Sequence, residues 1–202
     1  MYGADPRIDE HLTWCQMRRL RQTTIHARRR LLRTLVGDLG RPLLDLTAEQ
    51  LVGWQRERQH LSASSIVTYR NHINAFYLWA IEEGLREDNP ARRMVVPKQP
   101  QHLPNPVDED DLELAIICAV KDRLRLWVVL AGYCGLRVSE IAGLQREHIR
   151  ETARTPHLLV FDGKGGKQRT VPLSGKVLAE LTEYGWLQRG GGPLFPRADY
   201  PS

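Results

Sequence analysis

The chain has 202 residues, of which 42% are hydrophobic and 26% are charged, and its formal net charge is +5. This composition is typical of a folded globular protein and excludes a disordered or collagen-like chain. The sequence has no run of about eighteen apolar residues and no basic-then-apolar leader, so we expect a cytoplasmic protein without a membrane span. The cysteines Cys15, Cys118 and Cys134 are widely spaced, and no Cys/His cluster has zinc-site spacing, so neither disulfides, a metal nor a cofactor is predicted.

The positive charge is concentrated in the first half of the chain. Residues 1–98 contain 16 Lys and Arg against 11 Asp and Glu, whereas residues 99–202 contain 13 of each class. Seven arginines lie between residues 18 and 33 with no acid among them, which is typical of a surface that binds a polyanion. A solvated helix face is the alternative interpretation. The arginines that we expect to contact nucleic acid are Arg28, Arg29 and Arg33.

The first half is predicted to be helical. Apolar residues recur near a period of 3.6, and TAEQ at Thr47 and a serine at residue 62 suit helix starts. The four predicted helices cover about 9–20, 24–37, 47–58 and 62–84. The start of the fourth helix is rich in hydroxyl and basic groups, which suit phosphate contacts, although serines there are more often helix caps. The residues expected to contact DNA are Ser64, Ser65, Thr68, Tyr69 and Arg70.

Prolines divide the chain into two predicted domains. Five prolines between residues 90 and 106 favour extended backbone, so we predict a linker over 97–107. A helical domain would then occupy residues 1–96, and a second domain residues 108–202. In the second domain the pattern predicts helices near 108–120, 124–133 and 177–188, and a β-hairpin from the runs 158–161 and 168–173.

The stretch GYCGLRVSEIAGLQ contains an arginine in an unusual place. Val138, Ile141, Ala142 and Gln145 share one side of a possible helix, which predicts that this side faces the core. Arg137 would begin that helix, where a guanidinium is costly to desolvate unless it meets an anion. The alternatives are a simple one-turn ion pair with Glu140 and a helix-turn-helix, although the hairpin argues against the latter.

GLRVSEIAGL, followed by GKGGKQRTVPL, resembles the tyrosine recombinase (phage integrase) family, with a lysine 27 residues after the arginine. The resemblance implies a mainly α fold with a small β-hairpin or sheet: a SAM-like four-helix core-binding domain, then the first part of an α+β catalytic domain. It also implies that Arg137 binds the scissile phosphate, that Glu140 orients Arg137, and that Lys164 is the general acid. Lys167 and Arg169 are then expected to contact the DNA backbone.

The family pattern continues with a His-x-x-Arg box and a nucleophilic tyrosine, and neither follows the hairpin in this chain. Tyr200 lies in a Pro-rich stretch and is not expected to act as nucleophile. We therefore expect a chain that carries part of an active site and does not cut DNA, either as a piece of a longer protein or as a natural fragment. The apolar faces of 126–133 and 141–144 would then be left uncovered.

The resemblance also implies the partners. They would be double-stranded DNA at core attachment sites and, in a full-length protein, three further copies in a tetrameric synapse. Two other functions stay open from the sequence: a DNA-binding regulator without catalysis, and an RNA-binding protein. The RNA-binding alternative lacks aromatic stacking platforms and a fitting domain around GKGGK.

Overall fold

The computed structural model describes residues 5–98, 105–150, 156–161, 168–187 and 190–196. The chain divides into two compact units, Met1–Leu103 and Pro104–Ser202, which we call unit 1 and unit 2. The predicted linker spans this division, and its exact bounds stay a prediction. None of the described helices is long and apolar enough to cross a bilayer.

Unit 1 is a bundle of four helices, as the sequence predicts. Thr47 forms a capping box with Gln50, and the Ser62 side chain caps the last helix by accepting from Ser65 N. These reciprocal bonds satisfy backbone N–H groups that have no partner inside the helix. The helices are α1 (Pro6–Met17), α2 (Gln22–Leu39), α3 (Ala48–Arg56) and α4 (Ala63–Glu82), with short 3₁₀ helices at Leu43–Asp45 and Pro90–Arg93.

Unit 1 has an apolar core of its own, to which every helix contributes. Leu12, Leu32, Leu51 and Phe76 come from α1, α2, α3 and α4, and all are fully buried. Tyr77 is also buried, and its hydroxyl donates to the Leu43 carbonyl at 2.8 Å, so its one polar group is satisfied inside the core. This core keeps the α2 and α4 surfaces in a constant relation to each other.

Unit 2 combines helices with a small antiparallel sheet, which confirms the predicted fold class. The strands pair in the order β1-β2-β3, with Leu158 opposite Val171, so the predicted hairpin is present. The turn at 162–167 lies outside the described residues. A third strand was not predicted, because two residues are too short to show alternation. The elements are α5 (Glu109–Cys118), α6 (Asp122–Cys134), α7 (Val138–Ala142), β1 (Ile149–Arg150), β2 (His157–Val160), β3 (Arg169–Pro172) and α8 (Gly175–Glu183).

The predicted inward face of α7 is wrong except at Ile141. Val138 is 69% exposed and Ala142 is also exposed, whereas Glu140 and Ile141 are buried. The helix has only five residues and ends at Ala142, so Gln145 is not part of it. The predicted pattern spans eight positions, from i to i+7. Because α7 is shorter than that, helical periodicity does not decide which of these residues face the core.

The expectation of uncovered apolar faces on 126–133 and 141–144 is also wrong. Leu126, Val129 and Leu130 on α6 are buried in a core that also includes residues of the sheet and α8. Exposed apolar residues of unit 2 lie elsewhere, among them Leu114, Ile117 and Val120 on and after α5.

Candidate active site and nucleic-acid interface

Arg137 is placed by a glycine turn between α6 and α7. Gly135 ends α6 in the left-handed conformation, with φ of 60°, close to the αL value of about 57°, and a residue with a Cβ is strained there. Leu136 is then buried at 5% exposure, and Arg137 follows as the N-cap of α7 in extended conformation. A buried anchor on one side and a helix start on the other fix where the Arg137 side chain leaves the backbone.

Glu140 lies one turn further along α7 and accepts from Arg137 twice. Its Oε2 accepts the Arg137 backbone N–H at 2.8 Å, and its Oε1 accepts from Arg137 Nη1 at 3.0 Å. The Glu140 side chain is only 1% exposed, whereas the Arg137 side chain is 58% exposed. The one-turn ion pair that the sequence left open therefore exists, and it holds the arginine at its base while the guanidinium reaches solvent.

Arg169 of β3 completes this cluster, a contact that the sequence did not predict. Its Nη1 donates to Glu140 Oε1 and its Nη2 to Glu140 Oε2, each at 2.8 Å. These bonds from Arg169, together with the bonds from Arg137, lower the pKa of Glu140 to about 2 although burial opposes the shift. Two of the Arg169 N–H groups are thus committed to a buried carboxylate, and sequence reasoning could not foresee a pair 29 residues apart.

The Glu140 cluster, defined as Arg137, Glu140 and Arg169, carries one negative and two positive charges and hence a net charge of +1. In the described part of the chain, Glu140 is the only side chain that pairs with the Arg137 guanidinium. The remaining N–H groups of Arg137 can therefore donate to an external anion. A planar guanidinium suits two oxygens of one phosphate.

Three predicted residues cannot be placed against this cluster. Lys164 and Lys167 lie within 162–167, and Tyr200 lies within 197–202. Both stretches are outside the described residues. The last register pair before 162–167 is Val160 with Arg169. The roles of both lysines stay predictions.

On unit 1, α2 and α4 line an open groove of about 500 Å³. In its wall, the Arg58 guanidinium stacks 3.9 Å from the centre of the Trp54 ring, and both side chains bond Asp38. Thr68 and Tyr69, two of the predicted DNA contacts, lie on this groove. The residues that line it are Ala27, Arg30, Leu31, Thr34, Trp54, Glu57, Arg58, His60, Leu61, Thr68, Tyr69 and His72.

Arg28 departs from its predicted role, because it is buried at 8% exposure. Its Nη1 lies 3.0 Å from Cys15 Sγ and 3.3 Å from His11 Nε2, and its Nε donates to His72 at 3.4 Å. Helical periodicity turns one of three consecutive arginines towards the core, which charge counting alone does not detect. Arg28 is therefore a core residue, which argues against a direct phosphate contact.

The other predicted contacts of unit 1 reach the surface to different degrees. Arg33, Ser64 and Thr68 are exposed, and Ser65, Tyr69 and Arg70 are half-buried. Arg29 is also half-buried and lies 3.6 Å from the Asp9 carboxylate. Part of the Arg29 charge is thus balanced within the protein.

The structure adds groove residues that were not among the predicted sites: Arg30, Thr34, His60 and His72. Arg30 and Thr34 are four residues apart on α2, and Thr68 and His72 are four apart on α4, so each pair shares a helix face. That spacing was readable in the sequence. The sequence does not show that these two helix faces line the same groove. Among the described residues, no group of three or more His, Cys, Asp or Glu side chains is placed to hold a metal ion.

Comparison with known proteins gives consistent relatives. Residues 107–193 match the model of the phage integrase family. Tyrosine recombinase XerD of Caulobacter vibrioides is 32% identical over 153 residues, which are 72% of this chain and 49% of that protein. Tyrosine recombinase XerC of Escherichia coli is 29% identical over 146 residues, which are 69% of this chain and 47% of that protein.

A solved structure with a similar fold is a lambda integrase dimer bound to a COC′ core site. It aligns with a TM-score of 0.72 at 18% identity and covers 98% of this chain and 74% of that one. The present chain spans about half the length of the curated relatives that it matches. From the sequence likeness to both recombinases and the shared fold, the chain belongs to the tyrosine recombinase, or phage integrase, family.

Proposed function

We propose that this chain contains the DNA-binding surface and part of the active site of a site-specific recombinase, which cuts and rejoins DNA through a 3′-phosphotyrosyl intermediate. The observation that carries the proposal is the Arg137 guanidinium, which is exposed, anchored by Glu140 and part of a cluster with net positive charge. Such a group binds two non-bridging oxygens of the scissile phosphate and stabilises the charge that develops at phosphorus.

Lys164 is assigned the proton transfer in this proposal. It would protonate the departing 5′ oxygen as general acid, so that the attacking tyrosine displaces an alcohol and not an alkoxide. The nucleophilic tyrosine is not assigned within this chain, and we propose that the chain as it stands binds DNA without cutting it. Phage integration and excision, in a synapse of four protomers, are the reaction and assembly that this role would serve.

The groove of unit 1 supports duplex DNA as the ligand. It combines a basic residue, Arg30, with hydroxyl groups of Thr34 and Thr68 on two helices held by one core. Side chains of these types supply most protein contacts to phosphate and to base edges. A binding regulator without catalysis would use the same groove, so the two functions differ only in strand cleavage.

The first experiment measures duplex binding. A duplex selected by this chain from a random pool is labelled, and binding is followed by fluorescence anisotropy with single-stranded RNA as competitor. We expect tight duplex binding that falls steeply with salt, because many contacts are to phosphates. It should resist the RNA, because base edges and phosphates are presented in the duplex grooves in an arrangement that a single strand lacks. Equal competition by RNA would contradict the proposal.

The second experiment tests for cutting. The selected duplex is nicked so that a cleaved strand cannot be resealed, and protein–DNA adducts are sought on a denaturing gel. We expect none from this chain. An adduct would show that the chain holds its own nucleophile, and peptide mapping would identify the residue.

A further inference from the structure

The carboxylate of Glu140 is saturated with donors. Oε1 accepts from Arg137 Nη1 and Arg169 Nη1, and Oε2 accepts from the Arg137 backbone N–H and Arg169 Nη2. A carboxylate offers about four acceptor positions. All of them are therefore used, and three of the four bonds are 2.8 Å long.

This saturation limits what Arg137 can do with Glu140. A two-bond pair between their side chains would need both carboxylate oxygens, and Oε2 is already taken by Arg169 and by the backbone. Arg137 is thus restricted to a single side-chain bond, through Nη1. Its Nε and Nη2 groups bond no protein group among the described residues, and the side chain is 58% exposed, so an anion can reach them.

We infer that Arg169 is a positioning residue, which occupies Glu140 so that Arg137 cannot close on it and keeps its free N–H groups for a phosphate. The inference rests on the proposed function for the identity of the ligand. It assigns Arg169 an action through Glu140 and Arg137, without direct contact to DNA. Without Arg169, the exposed Arg137 would fold onto the vacant oxygens in a neutral pair, and the cluster would lose its net positive charge.

The alternative is that Arg169 itself binds phosphate. Its side chain is 35% exposed, less than that of Arg137, and both of its Nη atoms donate to Glu140. Nη2 also lies 3.5 Å from the Gly135 carbonyl, at the turn that places Arg137. These contacts orient Arg169 towards the protein, which favours the positioning role.

The first test needs no ligand. The Nε–H resonance of Arg137 is assigned by ¹⁵N NMR in the wild-type chain and in Arg169→Met. We expect a clear shift and slower exchange with water in Arg169→Met, because the Arg137 guanidinium becomes paired with Glu140. Arg150→Met, which removes an exposed arginine from the same sheet, is the matched control and should leave the resonance in place. An unchanged resonance in Arg169→Met would overturn the inference.

The second test uses dimethyl phosphate as the probe, titrated against the same resonance. We expect Arg169→Met to bind it about tenfold more weakly, as expected when a charge-assisted bidentate contact is lost. The double variant Arg169→Met/Glu140→Gln should regain most of this affinity, because a neutral amide no longer captures Arg137. If the double variant stays as weak as Arg169→Met, Arg169 contacts the phosphate directly and the inference fails.

Two further variants separate the possible failures. Arg137→Ala lacks the Arg137 resonance, so its dimethyl phosphate binding is compared with that of the wild type through the backbone amide resonances of α7. If it binds as well as the wild type, the proposed phosphate site fails, while the ligand-free shift still decides the role of Arg169. If Arg169→Met does not fold, Arg169→Lys replaces it, since an ammonium group cannot reproduce the planar two-bond fork. Arg169→Lys should then give a resonance shift in the same direction, and wild-type behaviour would overturn the inference.

Discussion

At the scale of single residues, two buried titratable side chains, Glu140 and His11, link the protonation state of the protein to its folding. Glu140 is 6% exposed and organises two arginines from different elements. His11 is fully buried beside Arg28. If His11 were protonated, its positive charge would lie next to that of Arg28. Both residues therefore connect protonation to folding, one as a carboxylate that must stay charged and one as an imidazole that must stay neutral.

Replacing Glu140 with Gln should destabilise unit 2 by about 1–3 kcal/mol near neutral pH, because two arginines lose their shared acceptor. The pKa of Glu140 is lowered from 4.5 to about 2 in the folded chain, so its contribution is present above pH 4.5 and is lost as the pH falls towards 2. Urea unfolding at several pH values should show the deficit of Glu140→Gln shrinking over that window. A deficit that is independent of pH would contradict this account.

The pKa of His11 makes a second pH prediction, on unit 1. Burial, helped by the charge of Arg28, lowers the pKa of His11 from 6.5 to about 3. Below pH 6.5, His11 binds a proton in the unfolded chain but stays neutral in the folded chain. The free energy of unfolding therefore falls as the pH drops from 6.5 towards 3. The loss should reach about 2 kcal/mol by about pH 5, measured by urea unfolding with tryptophan fluorescence.

His11→Gln should flatten this pH dependence, because a neutral amide has no proton to gain. His26→Gln is the matched control, since His26 is exposed on α2. If both variants keep the slope of the wild type, His11 is not its source. His72, whose pKa is also lowered by burial and Arg28, would then be the next residue to replace.

At the scale of elements, helix ends are where the sequence was most informative. The capping box at Thr47 and the serine cap at Ser62 were predicted from residue types and are present. Gly135 ends α6 with φ of 60°, the left-handed conformation that favours glycine at a helix end. Caps are predictable because they depend on the side chains of a few neighbouring residues. The short strand β1 was missed, since it exists only because Ile149 pairs with Leu158.

Gly135→Ala should lower the free energy of unfolding by about 1 kcal/mol, because alanine is strained in the left-handed region. It should also weaken duplex binding, since the turn sets the direction of Arg137. Gly143→Ala is the control: the Gly143 φ is −92°, and an added Cβ would meet the Ser139 carbonyl at 3.4 Å and the Glu140 carbonyl at 3.9 Å, which are ordinary contacts. Chemical denaturation compares the two variants, and equal stability would show that the turn tolerates a Cβ.

At the scale of the whole molecule, the excess of positive charge in the first half is divided between surface and core. Arg33 is exposed on α2, whereas Arg28 on the same helix is buried among His11, Cys15 and His72. Long-range attraction to DNA depends on the exposed charges. The count of seven arginines between 18 and 33 therefore overestimates the number available to phosphates.

Arg33→Ala and Arg28→Met should separate these two roles. If Arg33 contacts one phosphate, its removal should reduce the salt slope of duplex binding by about 0.9 without loss of stability. Arg28→Met should leave the slope close to that of the wild type and change the urea midpoint of unit 1. Anisotropy titrations over a series of salt concentrations decide this, and a reduced slope for Arg28→Met would restore its predicted role.

The sequence by itself indicated the helical first half, the hairpin, the family and the one-turn pair of Arg137 with Glu140. These features depend on periodicity, caps and a local motif, all of which are properties of neighbouring residues. Only the tertiary structure decided that Arg169 bonds Glu140, that Arg28 is buried, and that α2 and α4 face each other across a groove. Each of these contacts joins residues far apart in the chain, and their proximity is set by how the cores pack and not by any local pattern.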